Sequence, residues 1–322
     1  MAQPTLTEVH VNRPLTDLSL AFIQDNNRAI ASKVFPMVAV DKPSNNYFTY
    51  DKAQWLRDEA QFRAPGAEAA ASGYSLSVDT YNCTRKALKR FIADPIRAAS
   101  DVADLDREAM AWLMAKMVIK QEVDWASKYF ATSIWGTDVT GTTNFIKWND
   151  AASTPIEDIR TGRRTVLGNT GFEPNAIVFG KLTFDRLCDH PDIIDRLKYG
   201  QTAGQPAMAT TSAMAQLFGV DAVYVSTAIK NTAVEEAAGS FSNILTNDAA
   251  LLVYAAPAPG LLTASAGYTF VWASAPGGSA AGTRIKSYRE EPKESDVIEA
   301  EMWYDQKVVS SALGYFFTDA VD

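Results

Sequence analysis

The sequence predicts an α+β fold made of an N-terminal arm, an extended β-ribbon loop, a domain built on one long helix, and an α/β unit. Three observations predict it. Residues 54–74, QWLRDEAQFRAPGAEAAASGY, set charged residues with Ala, Gly and Pro between two strand-like stretches, leaving few side chains for a core. Residues 101–130 repeat apolar side chains at helical spacing with no Gly or Pro among them. Residues 171–276 alternate short apolar runs with amphipathic ones, the pattern of strands and helices in turn.

In chain order, residues 1–33 are polar and lightly patterned, with Pro4 and Pro14, and read as an extended arm with a short helix in LTDLSLAFIQ. KVFPMVAVDK is a short strand ending near Pro43, and NYFTYD is a second, rich in aromatics and Thr. Beyond the 54–74 tract, YSLSVDTYNCTRKAL reads as a strand in which Tyr74, Leu76 and Val78 alternate with polar residues. Strands so far apart make a long ribbon rather than a compact hairpin, and a two-stranded ribbon is marginal alone in water. The tract is therefore expected to find its contacts on another surface.

The helix over residues 101–130 takes Asp101 as its N-cap, with Asp104, Asp106 and Glu108 near the positive end of the dipole. Met110, Leu113, Met117 and Val118 recur on one face, followed by Trp125 and Tyr129, and Asp124 and Lys128 form a favourably oriented i,i+4 pair. Such a helix runs roughly 45 Å, well beyond the average. WGTDVTGTTNFIKWNDAAST reads as loop, and TPIEDIRTGRRTVLGNTG as a helix stopped by glycine. NAIVFG, LTFDRLCDHPDIIDRLK and residues 200–213 give strand, helix and loop; AMAQLFGVDAVYVS runs from helix into strand; AALLVYA and GYTFVWAS are further strands. SAPGGSAAGT is flexible punctuation, and RIKSYREEPKESDVIEAEMWYDQKVV is a hairpin with a charged turn around Pro292.

Composition narrows the function classes. The chain has 322 residues, 47% hydrophobic and 21% charged, which is that of a folded protein with real cores. Its net charge of −8 means that its overall field does not draw it to phosphate. The two cysteines, Cys83 and Cys188, stand in no metal or redox spacing and read as free thiols in a reducing compartment. MAQPTLTEVHVNRPL has no basic region followed by an apolar run, and the apolar stretches are broken by Pro and Gly, so neither a signal peptide nor a membrane span is expected. The expectation is a soluble protein made in the cytosol, in which the Asn82-Cys83-Thr84 sequon is a chance match.

Catalytic chemistry finds little footing. Of two histidines, His10 lies in the arm, and His190 reads as a structural surface residue where a helix meets a proline. Cys188 is two residues away, a spacing that parts the side chains on a helix. The carboxylates of DHPDIID suit a solvated helix start. VFGKLT lacks the upstream glycine of a phosphate loop, since Asn175 stands there, and PGGSAAG lacks the strand-to-helix context of a dinucleotide fingerprint. No catalytic residue, cofactor or metal is expected. What remains is architectural: an arm, a ribbon, an overlong helix and a charged hairpin, each with more surface than one subunit can satisfy.

In this order the chain resembles the major capsid proteins of tailed bacteriophages, built on the Hong Kong 97-type fold. The resemblance is carried by VFPMVAV, by the loop YFTYD…RDEAQFRAPG…GYSLSVDTY with Arg63-Ala64-Pro65-Gly66, by RKALKRFIAD and the spine helix, and by SYREEPKESDVIEAEMWYDQKVV. It implies an N-terminal arm over 1–40, an extended loop over 41–92, a peripheral domain with the spine helix over 93–170, an axial domain over 171–282, a peripheral hairpin over 283–308, and a segment over 309–322 returning to the axial domain. The loop would lie across a neighbouring subunit, with Trp55 and Phe62 as anchors and Arg57, Asp58, Glu59 and Arg63 in intersubunit ion pairs, the plain alternative for these charges being a solvated loop tip. The hairpin turn, with Arg289, Glu290, Glu291, Lys293 and Glu294, would meet other capsomers.

The resemblance implies copies of the chain in hexamers and pentamers of an icosahedral shell, with a portal protein, packaged double-stranded DNA in weak non-specific contact, an optional decoration protein, and no membrane. Only residues 1–33 precede VFP, so the expectation is no proteolytic processing and a separate scaffolding protein. Lys52 lies in the loop, but nothing marks an acceptor for a covalent cross-link. The protein is expected in the virion, assembled in host cytoplasm. The alternatives are an encapsulin-type compartment shell and, from another class, a small-molecule binding or hydrolytic enzyme built on residues 171–276.

Overall fold

The computed structural model describes residues 29–100, 104–200, 209–235, 237–260, 263–279 and 281–322. The expected arm before residue 29 and the expected cap at Asp101 lie outside them. The described chain enters through α1 (Ala31–Val34), where Ile30, Val34 and Phe35 are buried, and continues into β1 (Met37–Val40). β2 (Ser44–Tyr50) and a short helix α2 (Lys52–Trp55) follow, then β3 (Leu76–Asn82) and β4 (Thr84–Ala93). β2 and β3 pair antiparallel from Ser44 with Asn82 to Tyr50 with Leu76, forming a ribbon that has two strands among the described residues. The single strand expected from residue 74 onward is thus two, broken at Cys83, which is buried with its thiol toward the Phe270 carbonyl.

α3 (Asp94–Ala99) leads to α4 (Leu105–Tyr129), a helix of 25 residues or about 37 Å. Its described cap is Asp104, whose side chain accepts from the Arg107 N–H. Leu105, Ala109, Leu113 and Met117 line one face and pack on Ile92, Ile298, Ala300, Met302 and Tyr304. The expected partner of Asp124, Lys128, is replaced by Lys120 one turn earlier at 2.7 Å, with the Tyr304 hydroxyl donating at 2.9 Å.

The strands under this helix come from distant parts of the chain. β11 (Gly267–Trp272), β12 (Thr283–Glu290) and β13 (Ser295–Val308) form the sheet β1-β11-β13-β12, and β4 also pairs β13. β13 is flanked by β12 and β4 in its first half and by β11 in its last residues. Its alternation turns Ile298, Ala300, Met302 and Tyr304 to α4 and Glu299, Glu301 and Trp303 to the other face.

A second sheet has the order β5-β14-β10-β6-β7. It is built from β5 (Thr137–Thr140), β6 (Ala176–Phe179), β7 (Ala222–Val225), β10 (Ala250–Val253) and β14 (Gly314–Thr318). Every residue of β6 and β10 is buried, as a strand covered on both faces requires. Around it lie α5 (Pro155–Thr170), ended by left-handed Gly171, then α6 (Lys181–Cys188), α7 (Pro191–Gly200) and α8 (Thr211–Phe218). A small hairpin of β8 (Ile229–Asn231) and β9 (Phe241–Asn243) was not anticipated by the sequence.

Other departures have clear causes. The expected helix of residues 182–198 is two, because Pro191 offers no N–H to continue α6 and instead opens α7. The stretch read as loop before α5 contains β5, ordered by parallel pairing with β14. GYTFVWAS, expected within the α/β unit, joins the sheet under α4 instead.

Candidate assembly surface

The ribbon projects one row of apolar side chains. Register places Phe48 beside Val78 and Tyr50 beside Leu76 on one face, and all four are exposed, Phe48 at 60% and Val78 at 54%. The opposite row, Tyr47 and Tyr81, turns to the body and packs on Phe270, with ring centroids at 5.3 and 4.6 Å. The Tyr47 hydroxyl also donates to Asp79 at 2.8 Å, which holds that carboxyl below its ordinary value. Alternation of Leu76 and Val78 with polar residues was the sequence signal for this face, and the matching row on β2 needed the register.

At the ribbon's tip Asp51 caps α2 through the Ala53 N–H, and Lys52 donates to the Asn169 carbonyl at 3.0 Å, tying the tip to the end of α5. Gln54 and Ser75 close the neck of the loop with a side-chain bond of 2.9 Å. Trp55, half exposed, meets Tyr50 and Tyr74 at 5.4 and 5.6 Å, so this expected anchor already has partners on its own chain. Phe62 does not: it is 94% exposed.

The loop charges are matched locally. Arg57 pairs with Glu59 at 2.9 Å, Ser72 also donates to Glu59, and Arg63 donates to the Ala67 carbonyl. Ser72 and Arg57 lower the Glu59 carboxyl below its usual range. Asp58 is exposed, and no ion pair joins it to another described residue.

The hairpin turn is bound more tightly to its own chain. Arg289 makes a bidentate contact with Asp94 at 2.7 and 2.6 Å and reaches Glu291 at 3.1 Å and Asp296 at 3.4 Å. The Asp94 carboxylate raises the Arg289 guanidinium, and Asp94 is lowered in return. Glu290 is shared by Lys293 at 2.8 Å and Lys89 at 3.3 Å. Glu294 adopts a left-handed conformation, φ 43°, and its carbonyl accepts from Asp94 at 3.0 Å.

Two buried carboxylates escaped the sequence reading. Glu301 is fully buried on the face of β13 away from α4, in contact with Arg85, Arg284 and Lys286, the last at 2.8 Å. Burial pushes its carboxyl up, but the hydrogen bonds led by Lys286 outweigh it and hold the group at about 2. Glu122 of α4 is buried too, and its oxygens accept the Ile30 N–H at 3.0 Å and the Ala31 N–H at 2.9 Å, clasping the start of α1. Burial raises this carboxyl above its ordinary value despite those bonds.

His190 is buried rather than on the surface. Its Nδ1 accepts the Asp192 N–H at 3.2 Å and its Nε2 lies 3.1 Å from the Asp150 carbonyl and 3.0 Å from Ser153 Oγ, a bracing role at the break between α6 and α7. Among the described residues no group of His, Cys, Asp and Glu is arranged to hold a metal, and no helix is long and apolar enough to cross a membrane.

Residues 68–276 match the family described as phage major capsid protein E. The major capsid protein of Pseudomonas phage JBD67 is 26% identical over 240 residues, 69% of this chain and 70% of that protein. Among solved structures, a phage-related protein of Bordetella bronchiseptica RB50 is similar over 91% of this chain and 92% of its own, with a TM-score of 0.68 and 20% identity. The capsid of cyanophage P-SCSP1u is similar over 94% and 91%, with a TM-score of 0.60 and 11% identity. The SrpI encapsulin of Synechococcus elongatus PCC 7942 is similar over 100% and 98%, with a TM-score of 0.58 and 12% identity. At such identities the structural likenesses speak for the fold alone, which a capsid and an encapsulin share.

Proposed function

The chain belongs to the phage major capsid protein E family, and from that premise we propose that it forms the hexamers and pentamers of an icosahedral shell around double-stranded DNA. Its fold is the Hong Kong 97-type fold, and it is a structural protein that builds the phage capsid from copies of itself. The observation that carries the finer reading is the ribbon face, where Phe48, Tyr50, Leu76 and Val78 stand exposed in one row. An apolar row of this kind is covered when a neighbouring copy lies against it.

In this reading the loop of residues 41–92 lies across a neighbour, with Phe62 as its free anchor and Trp55 stiffening the neck. Arg57, Glu59 and Arg63 exchange their local partners for intersubunit ones and Asp58 takes one there, each pair worth about 0–1 kcal/mol but repeated throughout a closed shell. The turn presents Glu291 and Glu294 to other capsomers, while Arg289, Glu290 and Lys293 set its shape. The sheet under α4 acts as peripheral domain and the sheet centred on β10 as axial domain. The net charge of −8 supports weak DNA contact; a portal protein and a separate scaffolding protein are the further partners in this reading. A decoration protein is an optional partner, the protein has no enzymatic step of its own, and its assembly takes place in host cytoplasm.

The double variant Phe48→Asp/Val78→Asp tests this reading. Both side chains are exposed, so the subunit keeps its circular dichroism and its melting temperature to within about 3 °C, while sedimentation and electron microscopy show no shells. Normal shells from the variant would overturn the ribbon's role. Particles of the unaltered protein that are small, uniform and filled with an enzyme would favour the encapsulin alternative.

A further inference from the structure

β12 is an outer strand of the sheet under α4, and its far edge is bare. Among the described residues it pairs with β13 alone, over eight residues from Thr283 with Met302 to Glu290 with Ser295, without a bulge or a proline. The Trp303 N–H donates to the Gly282 carbonyl at 2.9 Å, and alternation from that pair turns the backbone groups of Arg284, Lys286 and Tyr288 to β13. The N–H and C=O of Ile285, Ser287 and Arg289 therefore point to the open side. Thr283 has the same parity but is already engaged, its carbonyl accepting the Ser279 N–H at 2.8 Å.

Exposed edges are commonly blunted by charge, by proline or by a covering element. Here the charges turn inward instead, Arg284 to Glu301 and Lys286 to Glu299 and Glu301. α4 rests on Ile92 of β4 and on Ile298, Ala300 and Met302 of β13, and leaves Ile285 of β12 45% exposed on the same face. An open edge beside an exposed isoleucine accepts another strand.

The strand that fits is β12 itself. Two copies joined antiparallel about Ser287 set Ser287 against its own counterpart and Ile285 against Arg289, so the bare backbone groups of all three residues are paired. On the face away from α4 the same register sets Arg284 beside Glu290 of the second copy and Lys286 beside Tyr288, so opposite charges meet on both sides of the centre. Centring on Lys286 would set that lysine against itself, and centring on Tyr288 would carry Ile285 past the end of the strand.

We propose that β12 is a joining edge, through which two copies of the chain merge their sheets by antiparallel pairing centred on Ser287. The inference deepens the assembly reading and rests on it for the second copy. A two-fold contact does not arise between neighbours around a ring, so this one joins one capsomer to the next. Ser287→Cys in the full-length chain, oxidised under assembly conditions, tests it. A hydrogen-bonded pair holds its Cα atoms about 5.5 Å apart, within disulfide reach, whereas Ile285 would lie about 14 Å from its counterpart. Non-reducing electrophoresis is expected to show about tenfold more disulfide dimer from Ser287→Cys than from Ile285→Cys. The unaltered chain, with Cys83 buried and Cys188 half-buried, sets the background. Ile285→Pro added to Ser287→Cys removes an N–H that β13 does not use, so the subunit keeps its circular dichroism while the dimer falls to background. The contrast between the two cysteines decides the matter even where the proline variant does not fold. Shells that give no dimer above background, or as much from Ile285→Cys, overturn the edge proposal and leave the assembly reading standing. A dimer from a chain that builds no shells supports the edge and overturns the assembly reading, and a chain that does neither overturns both.

Discussion

Glu301→Gln isolates what a single buried carboxylate contributes to the sheet under α4. The group sits at about 2 in the fold against 4.5 ordinarily, a shift equivalent to about 3.4 kcal/mol at neutral pH if none of it is screened. Arg85 is half exposed, and Arg85 and Lys286 keep Glu299 as a second partner at 3.1 and 3.4 Å, so the loss falls to roughly 1–3 kcal/mol. A depressed carboxyl stabilises the fold above its unfolded pKa, and that stability is lost as pH falls through the folded one. Urea unfolding of unassembled subunits therefore shows the full gap between wild type and variant at pH 7 and less than about half of it at pH 3. A gap of the same size at both pH values, or a variant as stable as wild type at pH 7, would refute an electrostatic role for Glu301.

Two further outcomes follow from other parts of the molecule. Leu113→Ala empties a fully buried site between α4 and the sheet and lowers the unfolding free energy by about 2–5 kcal/mol in the same assay. Glu122 has the opposite sign to Glu301: its raised carboxyl binds protons more tightly in the fold than in the unfolded chain, so stability declines as pH rises through the folded value. Glu122→Gln removes that decline, and urea midpoints from pH 4 to pH 8 fall more steeply for wild type than for the variant; parallel slopes would contradict the assignment.

What was legible in the sequence was whatever local patterning decides. Of the helical face expected at Met110, Leu113, Met117 and Val118, Leu113 and Met117 are buried and Met110 packs beside them, while Leu105 and Ala109 complete the buried row; Gly171 declares a helix end, and the charged turn around Pro292 declares a hairpin. What was not legible depends on partners far along the chain. Thr137–Thr140 has the composition of a loop and becomes a strand only because Gly314–Thr318 lies beside it. Gly267–Trp272 lies within the expected α/β unit in sequence but is drawn to the other sheet by β1 and β13.

The assembly surface divides the same way. Period-two alternation pointed to Leu76 and Val78, whereas nothing in the string QWLRDEAQFRAPG shows that Arg57 will turn back onto Glu59 or that Trp55 will settle between two tyrosines. His190 looked exposed because polar residues surround it in sequence, and it is buried because Ser153 and the Asp150 carbonyl come from another segment to meet it.

Among the described residues the two sheets are joined by the chain three times, between Tyr129 and β5, between β10 and β11, and between β13 and β14. A body suspended on a single strap can swivel freely, whereas one hung on three can shift only along directions that all three tolerate. Load applied at the Pro292 tip therefore runs down β13 and through the five-residue strap before β14 into an inner strand of the other sheet. Three straps therefore tie the two sheets of one subunit into a single unit, on which any contact with a second copy acts as a whole.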